Sequence, residues 1–234
     1  SNAGNLIADA FLYAYEQYAG EVGLPPESDS NQIIALQNGG GIRQNAGDLL
    51  PTGGTPGTIS LLDTLNVLPF PNFVTVVSDV APADLKAILE RSAATLPADG
   101  GQFLQVGGFD VTYVVQNEVG NRVYAVTLDD GTPIVQNGTV VAGAPSVRIV
   151  TNSFTAGGGD DYETLANNSN KLQLPLSYEQ AWREYLESFP VEEGLPTIQS
   201  DDPRYQPGGA GRITILSEAP APGGTTLYMP IIAR

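Results

Sequence analysis

Twice in this chain a run of aliphatic residues passes through a polar turn into a triplet of glycines. The first instance is Ile33 to Arg43, with Gly39-Gly40-Gly41. The second is Val147 to Asp161, with Gly157-Gly158-Gly159. A short apolar run that ends in glycines reads as a buried strand entering a tight turn. Two such units in one chain of 234 residues require a sheet, and a sheet needs helices or a second layer to cover it. The chain has no cysteine, so the fold must be held by its core without disulfides. With 41% hydrophobic and 15% charged residues, it has the composition to build one.

The remaining segments supply the cover. Gly4 to about Tyr18 places Leu6, Ile7, Ala10, Phe11, Ala14, Tyr15 and Tyr18 at three- and four-residue spacing, which predicts an amphipathic helix. Gly20 and Leu24-Pro25-Pro26 should end it. Ser60 and Asp63 form a capping-box pattern ahead of a short helix to Val67. A third helix runs from Pro82 to about Ala94, and a fourth starts at Ser177, with Gln180 as the second half of a capping box. Strands are expected at Phe73 to Val77, Phe109 to Val115, Arg122 to Leu128, Val147 to Val150 and Arg212 to Leu216. Asp48 to Gly57 reads as a Pro/Gly loop, and Leu227 to Ala233 as an added edge strand. Strands alternate with helices, and hairpins also occur. The expected fold is therefore one α+β domain with a mixed β-sheet and flanking helices. Ser1-Asn2-Ala3 reads as a tag scar, residues 4–190 as the domain, and 191–234 as an extension contributing one or two strands to it.

Chemistry is constrained by what is missing. The chain has no histidine and no cysteine. Histidine is the usual general base near neutral pH and the commonest transition-metal ligand. A complete hydrolytic centre is therefore not expected here, and no catalytic or metal-ligating residue is assigned. The net charge of −16 opposes binding of a nucleic-acid polymer and makes each arginine more informative. No run of 18 apolar residues exists, so no transmembrane segment is expected.

Three segments could still hold a small molecule. Asn38-Gly39-Gly40-Gly41-Ile42-Arg43 offers a turn of backbone N–H groups, an anion nest, beside a guanidinium that can fork onto phosphate or carboxylate. Its plainer reading is a turn next to a surface arginine. Asn152 to Tyr162 sets Phe154 beside a glycine triplet and Asp160, a stacking face beside an acceptor for two hydroxyls. Its plainer reading is a turn with a core phenylalanine. Leu68-Pro69-Phe70 reads first as a helix breaker with a core aromatic.

Taken together, these segments resemble the C-terminal domain of the 5'-nucleotidase family, which includes ecto-5'-nucleotidases, UDP-sugar hydrolases, 2',3'-cyclic nucleotide phosphodiesterases and NAD nucleotidases. The match starts at Gly4-Asn5-Leu6-Ile7-Ala8-Asp9-Ala10. It continues collinearly through Asn38–Arg43, Leu68-Pro69-Phe70, Gly101-Gln102-Phe103-Leu104-Gln105-Val106-Gly107-Gly108 and Phe154–Tyr162, covering about residues 4 to 190. The resemblance implies that Phe70 and Phe154 sandwich a nucleobase, that Asp160 accepts ribose hydroxyls, and that Arg43 holds a phosphate. It further implies that Asn38 touches base or sugar, and that Gly39, Gly40, Gly41 and Gly158 shape the floor. It places the chemistry elsewhere, in an N-terminal metallophosphatase domain with two divalent metal ions, and the protein outside the cytoplasm: extracellular, periplasmic or at the cell surface. An arginine that the family carries upstream of its opening helix is not among these residues. The competing readings are a stand-alone nucleotide- or sugar-binding module and a structural spacer in a surface protein.

Overall fold

The computed structural model describes residues 1–28, 31–43, 57–206 and 210–220. The expected loop before Gly57 and the expected edge strand at 227–233 lie outside these residues.

The chain opens with helix α1 (Asn2–Tyr18), capped by the Ser1 side chain. Strand β1 (Gln32–Asn38) follows, then α2 (Leu61–Val67), β2 (Phe73–Val80), α3 (Pro82–Ser92), β3 (Leu104–Gly107), β4 (Phe109–Val114), β5 (Val123–Leu128), β6 (Pro133–Gln136), β7 (Thr139–Val140) and β8 (Val147–Asn152). The short helices α4 (Ser153–Ala156) and α5 (Glu163–Asn167) lead to β9 (Lys171–Ser177) and α6 (Tyr178–Glu187). The small strands β10 (Val191–Glu192) and β11 (Leu195–Pro196), then β12 (Ile213–Leu216), complete the described elements.

The α+β class and the mixed pairing expected from sequence hold, with the described strands divided between two five-stranded sheets and a two-stranded ribbon, β10-β11. The first is ordered β3-β1-β8-β2-β9, the second β12-β4-β5-β6-β7. In the first, β1 and β8 are parallel neighbours and the other pairings are antiparallel. Both faces of the first sheet are covered, so its central strands read as unbroken apolar runs rather than alternations. Ile33 and Ala35 of β1 and Val74 and Val76 of β2 pack under α1 and α6 with Phe11, Tyr15 and Trp182. Ile34, Leu36, Val77 and Ile149 point the other way, against Leu85, Ile88 and Leu89 of α3 and the inner face of the second sheet. Each such fully buried aliphatic side chain contributes ~1.5–3 kcal/mol by leaving water. The chain crosses between sheets at Gly108, whose φ of +83° and close approach explain the residue: a Cβ there would lie 2.8 Å from the Ile33 carbonyl oxygen.

Two terminators differ from the sequence reading. Gly20 lies within a 3-10 turn, Ala19–Val22, and the left-handed residue that closes it is Gly23, φ +79°. At α2 the capping box forms in full. At α6 only half of it does: the Ser177 side chain accepts from the Gln180 N–H, while the Gln180 side chain turns forward to Glu184.

Beyond residue 190, β12 adds a parallel edge strand beside β4. Arg212 donates to both carboxylate oxygens of Asp9 on α1, at 2.6 and 2.8 Å, and the Tyr205 hydroxyl donates to the same carboxylate at 2.7 Å. This segment is thus fastened to the opening helix by charge-assisted bonds, the stronger kind.

Candidate functional site

The two glycine triplets meet because β1 and β8 lie side by side, parallel, with Ala35 opposite Val150. Both strands therefore deliver their carboxyl ends to one edge of the sheet. From β1 the chain passes Asn38 into a 3-10 turn, Gly39–Gly41. From β8 it passes Asn152 into α4, capped by the Asn152 side chain, and then through Gly158 in the left-handed region, φ +95°, to Gly159–Asp161.

The two ends are joined by side chains. The Asn38 Nδ2 donates to Asp160 Oδ2 at 2.7 Å. Asp160 is itself left-handed, φ 57°, a conformation that costs a non-glycine residue about 1–2 kcal/mol. Arg91 helps to hold it there: its Nε donates to the Asp160 carbonyl at 2.8 Å, and its guanidinium pairs with Asp161 at 3.0 Å. Asn38 and Asp160 thus sit on neighbouring loops at one edge, as the repeated pattern predicts. Asn38 is only 2% exposed.

The first triplet departs from its expected role. None of Gly39, Gly40 and Gly41 has a positive φ. The Gly39 N–H donates to the Phe103 carbonyl and the Gly40 N–H to the Gly101 carbonyl, at 2.8 and 2.7 Å. Those two donors are used by the protein itself, so the turn does not present them as an anion nest. Glycine is needed here for proximity. A Cβ on Gly40 would lie 3.2 Å from the Gly101 Cα, and one on Gly41 would fall 2.3 Å from the Gln37 amide nitrogen. Residues Gly100 to Phe103 are correspondingly the surface on which this turn is seated.

The aromatic residues stand on the same edge. Phe70 is 40% exposed and Phe154 46%, so the core reading fails for both. The Arg43 guanidinium lies 5.4 Å from the Phe70 ring centroid, within cation–π range. It is steered by bonds from its Nη1 to the Gly40 carbonyl and from its backbone N–H to the Val67 carbonyl. Among the described residues, no carboxylate forms an ion pair with Arg43. The Phe70 N–H donates to the hydroxyl of buried Tyr178 at 3.0 Å; burial pushes that phenol up to about 12. The Phe154 ring lies over Gly159, where a Cβ would fall 2.4 Å from it. The loop carrying Phe70 is drawn to the start of α4 by a bond from the Phe73 N–H to the Ser153 hydroxyl, 3.1 Å. Phe73, 44% exposed, is a third aromatic at this edge, which the sequence presents only as an ordinary strand start.

Among the described residues, no group of three or more aspartates or glutamates is placed to hold an ion. The arrangement sets exposed aromatic faces beside the Asp160 carboxylate and the Arg43 guanidinium. Nor is any helix of the described residues long and apolar enough to cross a membrane.

The family model described as "5'-nucleotidase, C-terminal domain" matches residues 1–167. The chain is 32% identical over 214 residues to the trifunctional nucleotide phosphoesterase protein YfkN of Bacillus subtilis, covering 86% of this chain and 13% of that protein. It is 28% identical to a snake venom 5'-nucleotidase of Macrovipera lebetinus, covering 84% and 47%. Among solved structures it superposes on the 5'-nucleotidase precursor of Thermus thermophilus with a TM-score of 0.68 at 28% identity, over 94% of this chain and 36% of that one. The chain therefore spans less than half the length of these relatives.

Proposed function

The chain belongs to the 5'-nucleotidase C-terminal domain family, and from that membership we propose that it is the nucleotide-recognition domain of a secreted 5'-nucleotidase-type metallophosphoesterase. In this reading Phe70 and Phe154 stack on the base from two sides. Asp160 accepts the ribose hydroxyls through the oxygen that Asn38 leaves free, and Arg43 meets a phosphate. Gly39, Gly40, Gly41 and Gly158 set the floor and its turn. Phosphate-ester cleavage belongs to a domain outside these residues, where two divalent metals would supply a Lewis acid and an activated water. This chain contributes no step through them, since it has neither histidine nor cysteine and no clustered carboxylates among the described residues.

The observation that carries the reading is the exposure of Phe70 and Phe154, the one beside the Arg43 guanidinium and the other on the connection that also carries Asp160. Stacking on an aromatic face is worth about 1–3 kcal/mol per base and accepts any base. The test is a titration of the chain with adenosine. Phe70→Ala and Phe154→Ala should each weaken binding about tenfold and leave the melting temperature within a few degrees. If both variants instead lose about 3–5 kcal/mol of stability, as core truncations do, and bind adenosine unchanged, packing has been mistaken for recognition.

A further inference from the structure

We propose that Asn152 is a positioning residue for Asp160, acting through the amide of Asn38. The inference rests on the assignment of Asp160 to the ribose.

Asn152 is fully buried, at 0% exposure, and both halves of its amide are engaged. Its Oδ1 accepts the Thr155 N–H at 2.9 Å and so caps α4. Its Nδ2 donates to Asn38 Oδ1 and to Gln37 Oε1, both at 3.0 Å. Asn38 Oδ1 also faces the Thr155 hydroxyl and the Gln37 Nε2, each at 3.3 Å. The Asn38 oxygen is thus ringed by donors, and its amide can lie only one way round. In that orientation the Nδ2 meets the Asp160 carboxylate. Turned over, the amide would set its own oxygen against a carboxylate and its nitrogen against two amide N–H groups, those of Asn152 and Gln37. A buried polar group left unsatisfied costs about 1–3 kcal/mol, more when a charge is involved. Asn152 makes the shortest bond in that ring, and its orientation is in turn fixed by the cap it provides. A helix cap is thereby linked in two hydrogen bonds to the site carboxylate. A cap alone would need only the Oδ1.

The two roles can be separated. Asn152→Ser keeps a capping oxygen, since serine caps as well as asparagine, and removes both amide bonds. Asn152→Asp keeps the cap and the shape but reverses the polarity facing Asn38. The chain and each variant are titrated with adenosine and with 2',3'-dideoxyadenosine, which lacks both ribose hydroxyls. The wild type should prefer adenosine about tenfold, the worth of hydrogen bonds to a charged group. Both variants should lose most of that preference while binding the dideoxy compound as before. The ratio of two dissociation constants from one preparation does not depend on what fraction of it is folded, so partial instability does not obscure the result. If the wild type shows no preference, the ribose assignment of Asp160 is wrong. If the wild type shows it and both variants retain it within twofold, Asn152 is a cap and nothing more.

Discussion

The glycine triplets at 39–41 and 157–159 look alike in sequence and behave differently in the fold. The first is clamped: its N–H groups at Gly39 and Gly40 are bonded to the 101–103 backbone, and no φ is positive. The second is a turn in the strict sense. Gly158 is left-handed, and the residues after it carry Phe154's support and Asp160 into the site. One triplet is glycine because a neighbouring backbone is too close for a side chain; the other because the chain must turn the wrong way for an L-residue. A run of glycines therefore identifies a constrained backbone without saying which constraint applies.

That difference can be broken by substitution. Gly40→Val should have the largest effect, ~3 kcal/mol or more, because the added atoms meet the Gly101 backbone, which cannot step aside. Thermal unfolding would register it, and a loss below ~1 kcal/mol would show that the clamp is loose. Gly158→Ala should cost about 1–2 kcal/mol from the left-handed backbone, with some addition from Ala166, whose Cβ would be 2.8 Å away. Its sharper signature is functional: displacing the turn should weaken adenosine binding along with stability, because Asp160 lies two residues on.

The sequence is most legible where one element type suffices to explain the pattern. The helices α1, α2, α3 and α6 and the strands β1, β2, β4, β5, β8 and β12 follow from periodicity and caps, with ends moved by a few residues. Strand β9 escapes because Pro175 interrupts the run that begins Leu172-Gln173-Leu174; as an edge strand it tolerates a proline. Strands β6 and β7 are short, although the Asn137-Gly138 pair between them, both at positive φ, is a hairpin signal. The division into two sheets is not legible, since it depends on Gly108 and on which face α3 covers. At the site, the residue types are legible and their employment is not. The exposure of Phe70 and Phe154 depends on tertiary placement; Phe73 carries no local mark, and Asn152 stands at the head of a candidate segment with nothing local to show its link to Asn38.

The support behind Phe70 gives a smaller effect. Tyr178 is buried and holds the Phe70 N–H. Its phenol is raised from 10.0 to about 12 by burial. A raised folded value means its share of stability is present below pH 10 and is lost as pH rises from 10 towards 12. Tyr178→Phe should therefore lose less stability than the wild type across that window, while adenosine affinity at about pH 7 falls about twofold as the Phe70 loop loosens. Alkaline unfolding curves and one titration check both halves. An unchanged alkaline limb would mean that the phenols of Tyr113 and Tyr162, also raised by burial, govern the transition alone.

We propose above all that the edge formed by the ends of β1 and β8 receives a nucleoside. A structure of the chain with adenosine bound tests it most directly. The base should lie between Phe70 and Phe154, with a ribose hydroxyl on Asp160 within about 3 Å. A competing hollow of about 270 Å³ lies at the other end of β1, lined by Leu12, Tyr15, Glu27 and Ile33. Adenosine found there, with Phe70 and Phe154 untouched, would contradict the account.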